Sequence, residues 1–244
     1  CMRTVNHLMA ARTALNQLEA QGIQVEECQD MEAVPDLLAR AGQEAGKAYL
    51  TPLLSPEHND LTPENCVWLY MKSSSGVSGI IGARVHESRQ ENIGRYWQRH
   101  YSRVYDLDPA FSKIEYGMVE FLRGRLVYLG DLHISINERS RPRIMSSFTT
   151  VALLVVALKW QPDFVYAFLH NNQIRKGAAS EYGFATHLKS VRQWTVCPHK
   201  RAQDEWLAVS SANQIDHIAS SLASVDQAAM SKDRLPSVAV AAGE

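Results

Sequence analysis

The sequence of 244 residues lacks several features that would each have narrowed its function. It has four cysteines, widely spaced and without a CxxC pair, so neither a disulfide framework nor a cysteine-based zinc site is expected. Its longest apolar run, residues 151–158, is far below the ~18 residues of a membrane span. Lys and Arg total 25 against 26 Asp and Glu, a net charge of -1, which excludes a broadly basic surface for nucleic acid or an anionic membrane.

What remains is the composition of an ordinary globular protein. Hydrophobic residues make up 45% and charged residues 21%, which is too apolar for a disordered chain. The length suits one large domain, or one domain with appendages. The histidines are scattered without the spacing of a metal site, so no metal is predicted. No secretory signal pattern is visible, and we therefore predict a cytoplasmic protein with reduced thiols.

The hydrophobic pattern predicts a mixed α/β fold. Helices are predicted at 3–20, 31–45, 89–105, 146–160, 172–182 and 215–225. Strands are predicted at 23–28, 67–71, 77–85, 125–136, 164–169, 189–196 and 206–209. An ordered loop is expected at 51–64, a basic loop at 137–143 and a mobile tail from Asp226 onward.

One stretch, residues 126–196, has an order of elements that is informative. A strand leads into the basic loop Arg139-Ser-Arg-Pro-Arg-Ile-Met-Ser-Ser147 and then into the strongly apolar helix. A buried strand follows, with Asn171 and Asn172 at its end, and then a short helix that finishes in Gly183-Phe184. This order resembles the second half of the GNAT-type N-acyltransferases, a superfamily that uses acetyl-CoA. Residues 23–86 follow the family's opening order more loosely.

The resemblance implies a fold and a division of the chain. The fold is α/β (α+β), with a GNAT-like central mixed, mostly antiparallel sheet flanked by helices and with an extra N-terminal helix and a C-terminal helix and tail. Residues 1–22 would be an N-terminal helical extension and 23–210 the acyltransferase domain, with an insertion at 87–124. Residues 211–244 would form the C-terminal helix and mobile tail.

The resemblance also implies an activity, the transfer of an acetyl or other acyl group from acyl-CoA to the amine of a small molecule or a protein. The central strand would pair through its backbone with the pantetheine arm of CoA, and the basic loop would hold the phosphates. A helix N-terminus with unpaired N–H groups binds phosphate readily, and arginines add positive charge. The implied CoA-binding residues are Ile134, Ser135, Ile136, Arg139, Arg141, Arg143, Ser146, Ser147, Asn171 and Asn172.

The basic loop departs from the family pattern, which reads Arg/Gln-x-x-Gly-x-Gly/Ala. Counted from Arg139, the glycine positions hold Pro142 and Ile144. Glycine allows close approach of the backbone, and proline lacks an N–H donor. The departure predicts CoA binding that is weak, altered or lost, and a solvated surface turn is the alternative interpretation of this arginine cluster.

The candidate catalytic residues are Asp131, His133 and Tyr182. Asp131 and His133 are two apart on the central strand, so they are expected on one face, where a carboxylate beside an imidazole could act as a base. The alternatives are a strand-end aspartate and a hydrogen-bonded core histidine. The family's usual acid is a tyrosine four residues before the glycine of Gly-Phe, but Ala179 stands there. Tyr182 is the nearby tyrosine, and its side chain is expected to point in another direction.

Two other functions stay open at this point. The chain could be a catalytically inactive binding or sensory module, since the loop glycines and the usual tyrosine are absent. It could also take its acyl group from an acyl carrier protein, whose acidic surface an arginine-rich loop would meet. Residues 51–64 and 87–124 are predicted to shape the acceptor site. No nucleic-acid or membrane partner is expected, and a homodimer is left open. A central strand that separates from its neighbour at about 131–136 would favour the transferase.

Overall fold

The computed structural model describes residues 2–42 and 49–232. Its helices are Met2–Glu19 (α1), Val34–Gly42 (α2), Ile93–Tyr105 (α3), Tyr116–Val119 (α4), Ile136–Arg139 (α5), Ile144–Trp160 (α6), Asn171–Arg175 (α7), Ala178–Glu181 (α8) and Ala212–Lys232 (α9). Its strands are Gln24–Glu27 (β1), Cys66–Ser73 (β2), Gly76–Ser88 (β3), Phe111–Ile114 (β4), Gly124–Ile134 (β5), Phe164–Leu169 (β6), Thr186–Lys189 (β7), Arg192–Trp194 (β8) and Trp206–Ser211 (β9). The predicted tail beyond 232 and the end of the predicted helix 31–45 lie outside the described residues.

Seven strands form the central sheet in the order β1-β2-β3-β5-β6-β9-β7. The pair β5–β6 is parallel, and the other neighbours in this sheet are antiparallel. The strands β4 and β8 form a separate two-stranded ladder. The predicted mixed, mostly antiparallel sheet flanked by helices is therefore confirmed. No helix in the described ranges is long and apolar enough to cross a membrane.

The helix α6 covers one face of the sheet. Its sequence is apolar on nearly every side, and such a helix is stable only when it is surrounded. The helix α1 packs against both α6 and α9 and buries Ala10, Ala14 and Leu18 in the same core. Alanines one turn apart let helices approach closely. The N-terminal helix predicted as an extension thus contributes directly to the main core.

The opposite face is covered by α3, which begins at an Asn92 cap that accepts a hydrogen bond from the Gly94 N–H. Its buried residues Trp97 and Tyr101 pack against the aromatic rings of Tyr166 and Phe168 on β6. The predicted aromatic helix at 89–105 is therefore present, and it shields the sheet. This face also buries the charged side chain of Arg192.

Several elements differ between the prediction and the structure, among them the helix predicted at 172–182, which is divided into α7 and α8. The single strand predicted at 189–196 is wrong, because Ser190 has a φ of 56° and this left-handed residue separates β7 from β8. The predicted start of the C-terminal tail, Asp226, is also wrong, because the helix α9 continues to Lys232. The strand β4 was not predicted, because it is only four residues long and two of them are exposed.

Candidate active site

The parallel strands β5 and β6 are paired over only three positions, from Leu126 opposite Phe164 to Tyr128 opposite Tyr166. Beyond Tyr128 the two strands separate, although β5 continues to Ile134 and β6 to Leu169. A cavity of about 280 Å³ lies in the gap. The separation predicted for the central strand is thus present, and it opens a cleft between the two halves of the sheet.

A β-bulge shapes the β5 side of this cleft. Two residues of β5, Asp131 and Leu132, lie opposite the single residue Ile81 of β3. Asp131 has a φ of 50°, in the left-handed region that aspartate tolerates better than most residues. A bulge bends the strand and re-aims its side chains, and both Asp131 and His133 line the cavity. The two predicted residues share the site, but regular strand alternation is interrupted between them.

The carboxylate of Asp131 is held by Thr51, whose Oγ1 donates to Oδ2 at 2.9 Å and whose backbone N–H donates to the same oxygen at 3.2 Å. Burial raises the pKa of Asp131 to about 6, against the opposite effects of the Thr51 hydrogen bonds and the Arg201 charge. A carboxylate with a pKa near 6 is ionised at neutral pH and basic enough to accept a proton. Thr51 belongs to the loop that was expected to shape the site.

The phenol of Tyr182 also lies on the cavity wall. Burial raises its pKa and the neighbouring Glu181 raises it further, while Arg139 and a hydrogen bond with Gln173 act in the opposite direction. The phenol is therefore protonated at neutral pH. Ala179, at the position of the family's tyrosine, is buried in the main core. The structure brings Tyr182 to Asp131 and His133, around one cavity.

A second cavity, of about 500 Å³, continues from the first toward the start of α6. Both cavities are lined by Leu132, His133, His170, Gln173 and Tyr182. The second is also lined by Ile134, Arg139 and Asn172, three of the predicted CoA-binding residues, and by Met145 of α6. The two cavities therefore adjoin at these residues, and Tyr182 belongs to both walls.

Arginines 139 and 143 lie near the α6 end of the second cavity. Arg139 donates from Nη2 to the Ile134 carbonyl at 2.9 Å and lines the cavity. Arg143 is exposed and occupies the N-cap position of α6 with a φ of 65°. No side chain caps the N-terminus of this helix, so its first N–H groups lack a side-chain partner at the positive end of the helix dipole.

The remaining predicted CoA-binding residues have structural partners. Arg141 pairs with Glu138 at 2.6 Å and donates to the Gln21 carbonyl, which ties the basic loop to the end of α1. Ser147 is buried and donates to Gln17, and Ser146 donates to the Arg143 carbonyl. The Ser135 N–H donates to the Ser78 carbonyl, Ile136 is exposed at the start of α5, and the Asn171 side chain accepts from Trp206. None of these six described residues lines either cavity.

The sequence analysis missed the loop between β8 and β9, which supplies Lys200 and Arg201 to the first cavity. The sequence feature that could have indicated this loop is the basic run His199-Lys200-Arg201, followed by Glu205 four residues after Arg201. Conversely, none of residues 87–124, all of which are described, lines the first cavity. This segment covers the sheet behind the cavity, and its part in shaping an acceptor site stays a prediction.

Arg201 belongs to a buried charge cluster. Its Nη2 donates to Glu205 at 2.8 Å, and Arg192 donates to the same Glu205 oxygen at 2.9 Å. The three side chains are only 1–6% exposed. Burial opposes the ionisation of Glu205, but the charges of Arg201 and Arg192 outweigh it and lower the pKa of the carboxyl. The Arg192 guanidinium lies 3.3 Å from the ring centre of Phe168. Among the described residues, no group of three His, Cys, Asp or Glu could hold a metal ion.

Comparison with protein-family models and with curated proteins gave no match. Among solved structures, the chain is similar to FeeM, an N-acyl amino acid synthase from uncultured soil microbes, at 9% identity and a TM-score of 0.46 over 79% of this chain and 92% of the other. It is similar to Arabidopsis thaliana NAA60 in complex with acetyl-CoA at 15% identity and a TM-score of 0.46, over 78% and 99%. It is also similar to an acetyltransferase of the GNAT family from Streptococcus pneumoniae, at 10% identity and a TM-score of 0.43 over 78% of this chain and 99% of the other.

The third of these structures is an acetyltransferase of the GNAT family, the family that the sequence pattern resembles. The identities of all three structures to this chain are 15% or less and their TM-scores are below 0.5.

Proposed function

We propose that this protein transfers an acyl group from an acyl-CoA to an amine. The observation that carries the proposal is the separation of β5 from β6, next to a bulge that sets the Asp131 carboxylate on the wall of the resulting cleft. A strand edge that has lost its neighbour leaves backbone groups free to pair with an extended ligand. Pantetheine, with its two amides, is such a ligand.

The second cavity suits the CoA end of the donor. It leads to the uncapped N-terminus of α6, where open N–H groups and the guanidinium of Arg139 suit phosphate. The substitution of Pro142 for a family glycine is compatible with this placement. Pro142 is exposed and does not line the described cavity, so the donor that proline lacks is not one that would face the phosphates.

The chemistry follows from the placement of two groups, Asp131 and Tyr182. Asp131 accepts one proton from the acceptor ammonium, and the free amine attacks the thioester carbon to form the C–N bond. The tetrahedral intermediate loses a second proton from nitrogen as the C–S bond breaks. Tyr182, beside the junction of the two cavities, gives its proton to the departing thiolate and recovers the proton that nitrogen released. The products are an amide, free CoA and one proton.

Calorimetric titration and thermal shift with acetyl-CoA and longer acyl-CoAs test the donor site. A cofactor-like site stabilises the fold by about 2.7 kcal/mol at 100 times its Kd. The variant Asp131→Asn keeps an oxygen that can accept the Thr51 hydrogen bonds, so we expect it to bind acyl-CoA normally. Its rate of acyl transfer, measured as free CoA formed, should fall about 10²–10⁴-fold. If no acyl-CoA of any chain length bound at millimolar concentration, the proposal would be contradicted. If the protein turned over an acyl carrier protein thioester and no acyl-CoA, the acyl donor would be the carrier protein thioester.

A further inference from the structure

The first cavity is bordered by a carboxylate on one side of the divided sheet and by a guanidinium on the other. Asp131 comes from β5, whereas Arg201 comes from the loop that enters β9, beyond β6. The charge of Arg201 acts on Asp131, yet no ion pair within 4.0 Å joins these two described residues. A cavity with separated charges of opposite sign fits a ligand that carries both an ammonium and a carboxylate.

The buried cluster behind Arg201 leaves one positive charge unbalanced. Glu205 supplies one negative charge to two guanidiniums, and each of them donates to its Oε2 atom. Arg192 is enclosed by aromatic rings, including Phe168 and Tyr101, whereas Arg201 lines the cavity. A buried charge is costly without a partner, and Arg201 is the guanidinium of the pair that a ligand in the cavity can reach. The anion that would complete this arrangement is most readily supplied by the ligand.

We propose that the acceptor is an α-amino acid, with its carboxylate bound by Arg201 and its amino group placed at Asp131. This proposal rests on the proposed acyl transfer and specifies its acceptor. Glu205 fixes one edge of the Arg201 guanidinium, so the side chain is oriented before the ligand arrives. Lys200, exposed at the cavity wall, adds a second positive charge that attracts carboxylates and repels diamines.

The rest of the cavity wall indicates an amino acid with an apolar side chain. Ile81, Leu129, Tyr128 and Phe168 contribute apolar surface to this wall, which also includes polar side chains such as Thr149. An apolar side chain removes this surface from water, whereas a charged one would lose its hydration without a partner. The product would be an N-acyl amino acid, formed with the same balance of bonds and protons as described above.

The test compares each amino acid with the amine that lacks only its carboxylate. Release of CoA is followed with a long-chain or acetyl-CoA donor and with leucine against isopentylamine, or phenylalanine against phenethylamine. Charge-assisted hydrogen bonds are worth about 1.5–3 kcal/mol, so the wild type is expected to favour the amino acid by about 10–100-fold in kcat/KM. Because this comparison uses only the wild type, it does not depend on the folding of any variant.

The variant Arg201→Gln should remove this preference. The kcat/KM for phenylalanine should fall about 10–100-fold while that for phenethylamine changes little, and Arg201→Lys should restore part of the loss. Arg99→Gln is the matched control, because Arg99 also pairs with a glutamate, Glu91, but belongs to α3 and lines neither cavity. Binding of acyl-CoA by Arg201→Gln, measured by calorimetry, shows that the variant is folded.

Each result bears on one of the two proposals. Equal or faster acylation of phenethylamine by the wild type, or an equal loss for both acceptors in Arg201→Gln, would overturn the amino-acid proposal and leave acyl transfer standing. No binding of acyl-CoA and no release of CoA with any amine would overturn the acyl transfer itself. Preferential acylation of the amino acids, lost in Arg201→Gln and kept in Arg99→Gln, would support both.

Discussion

Two groups of arginines in this protein differ in burial, and the difference separates what each can do. Arg139, Arg141 and Arg143 lie in one loop and are partly or fully exposed to solvent. Arg192 and Arg201 lie far from that loop in the sequence. Both are buried around a single carboxylate, that of Glu205. The first group is obvious in the sequence, and the second is visible only when β8 and β9 are in place.

Solvent decides how strongly each group acts on its surroundings. A charge on the surface is screened, so an exposed arginine contributes mainly when it meets a ligand directly. A buried guanidinium acts through a medium of lower dielectric and influences groups at a greater distance, as Arg201 does at Asp131. The buried pair therefore has consequences for both stability and chemistry, whereas the loop contributes through contact.

The largest expected effect comes from removing the carboxylate of the buried cluster. Glu205→Ala leaves two buried guanidiniums facing each other, and breaking a buried pair in this way costs about 3–5 kcal/mol in the free energy of unfolding. The matched control is Glu138→Ala, whose partner Arg141 is 36% exposed, and a cost of about 1 kcal/mol is expected there. Urea denaturation measures both, and similar losses would show that burial does not distinguish the two groups.

The same cluster predicts a dependence of stability on pH. Because the pKa of Glu205 is lowered in the folded protein, its ionised form stabilises the fold at pH values above the unfolded pKa. That contribution is lost as the pH falls through the folded-state pKa. The difference in unfolding free energy between the wild type and Glu205→Gln should therefore be largest at neutral pH and should shrink below about pH 4.3. A difference that stayed constant down to pH 3 would contradict this assignment.

A smaller effect is expected from the exposed loop, on the affinity for acyl-CoA. Arg139 lines the second cavity, so Arg139→Ala should weaken binding by about 10–100-fold, as expected for one charge-assisted hydrogen bond. Arg143 is exposed and lies outside that cavity wall, so Arg143→Ala should change the affinity by less than about 3-fold. Calorimetry on both variants checks the ranking, and equal losses would mean that the loop acts as a diffuse positive surface.

The smallest predicted effect is a shift in the titration of Asp131. The positive charge of Arg201 stabilises the ionised carboxylate, so Arg201→Gln should raise the pKa of Asp131 above its value of about 6. Arg141→Gln should leave it unchanged, because its guanidinium is held by Glu138 away from the cavity. Titration followed by carboxyl ¹³C NMR measures both variants. A pKa of Asp131 that did not respond to Arg201 would place the two groups in separate electrostatic environments.

The regular elements were largely predictable from periodicity, because the pattern of apolar residues that makes a helix or strand is local. The apolar helix α6 and the strand β6 were found within two residues of their bounds. The break at Ser190 was not predicted. Its left-handed φ is imposed by the strands on either side, because β7 belongs to the central sheet and β8 to the two-stranded ladder. The extent of α9 was underestimated, because an Ala/Ser-rich sequence has weak apolar periodicity and its helix packs on α1.

The candidate site shows the same division. The sequence predicted three candidate catalytic residues, and all of them line one cavity: Asp131, His133 and Tyr182. The direction of Tyr182 was not predictable, since it depends on how α8 and the following turn pack against β5 and α7. Arg201 was missed for a related reason, because a basic residue in a loop has no sequence signal that distinguishes a solvated side chain from a buried one.

The sequence by itself determined the fold class, the order of elements around residues 126–196 and the residue types available for acid–base chemistry, because these depend on local pattern. The tertiary structure decided where β5 separates from β6, that a bulge turns Asp131 into the gap, and that a guanidinium faces it from β9's side of the sheet. Those features depend on strand pairing and burial between distant residues. Pairing and burial set the dielectric around each charge, and with it the chemistry that the charge can perform.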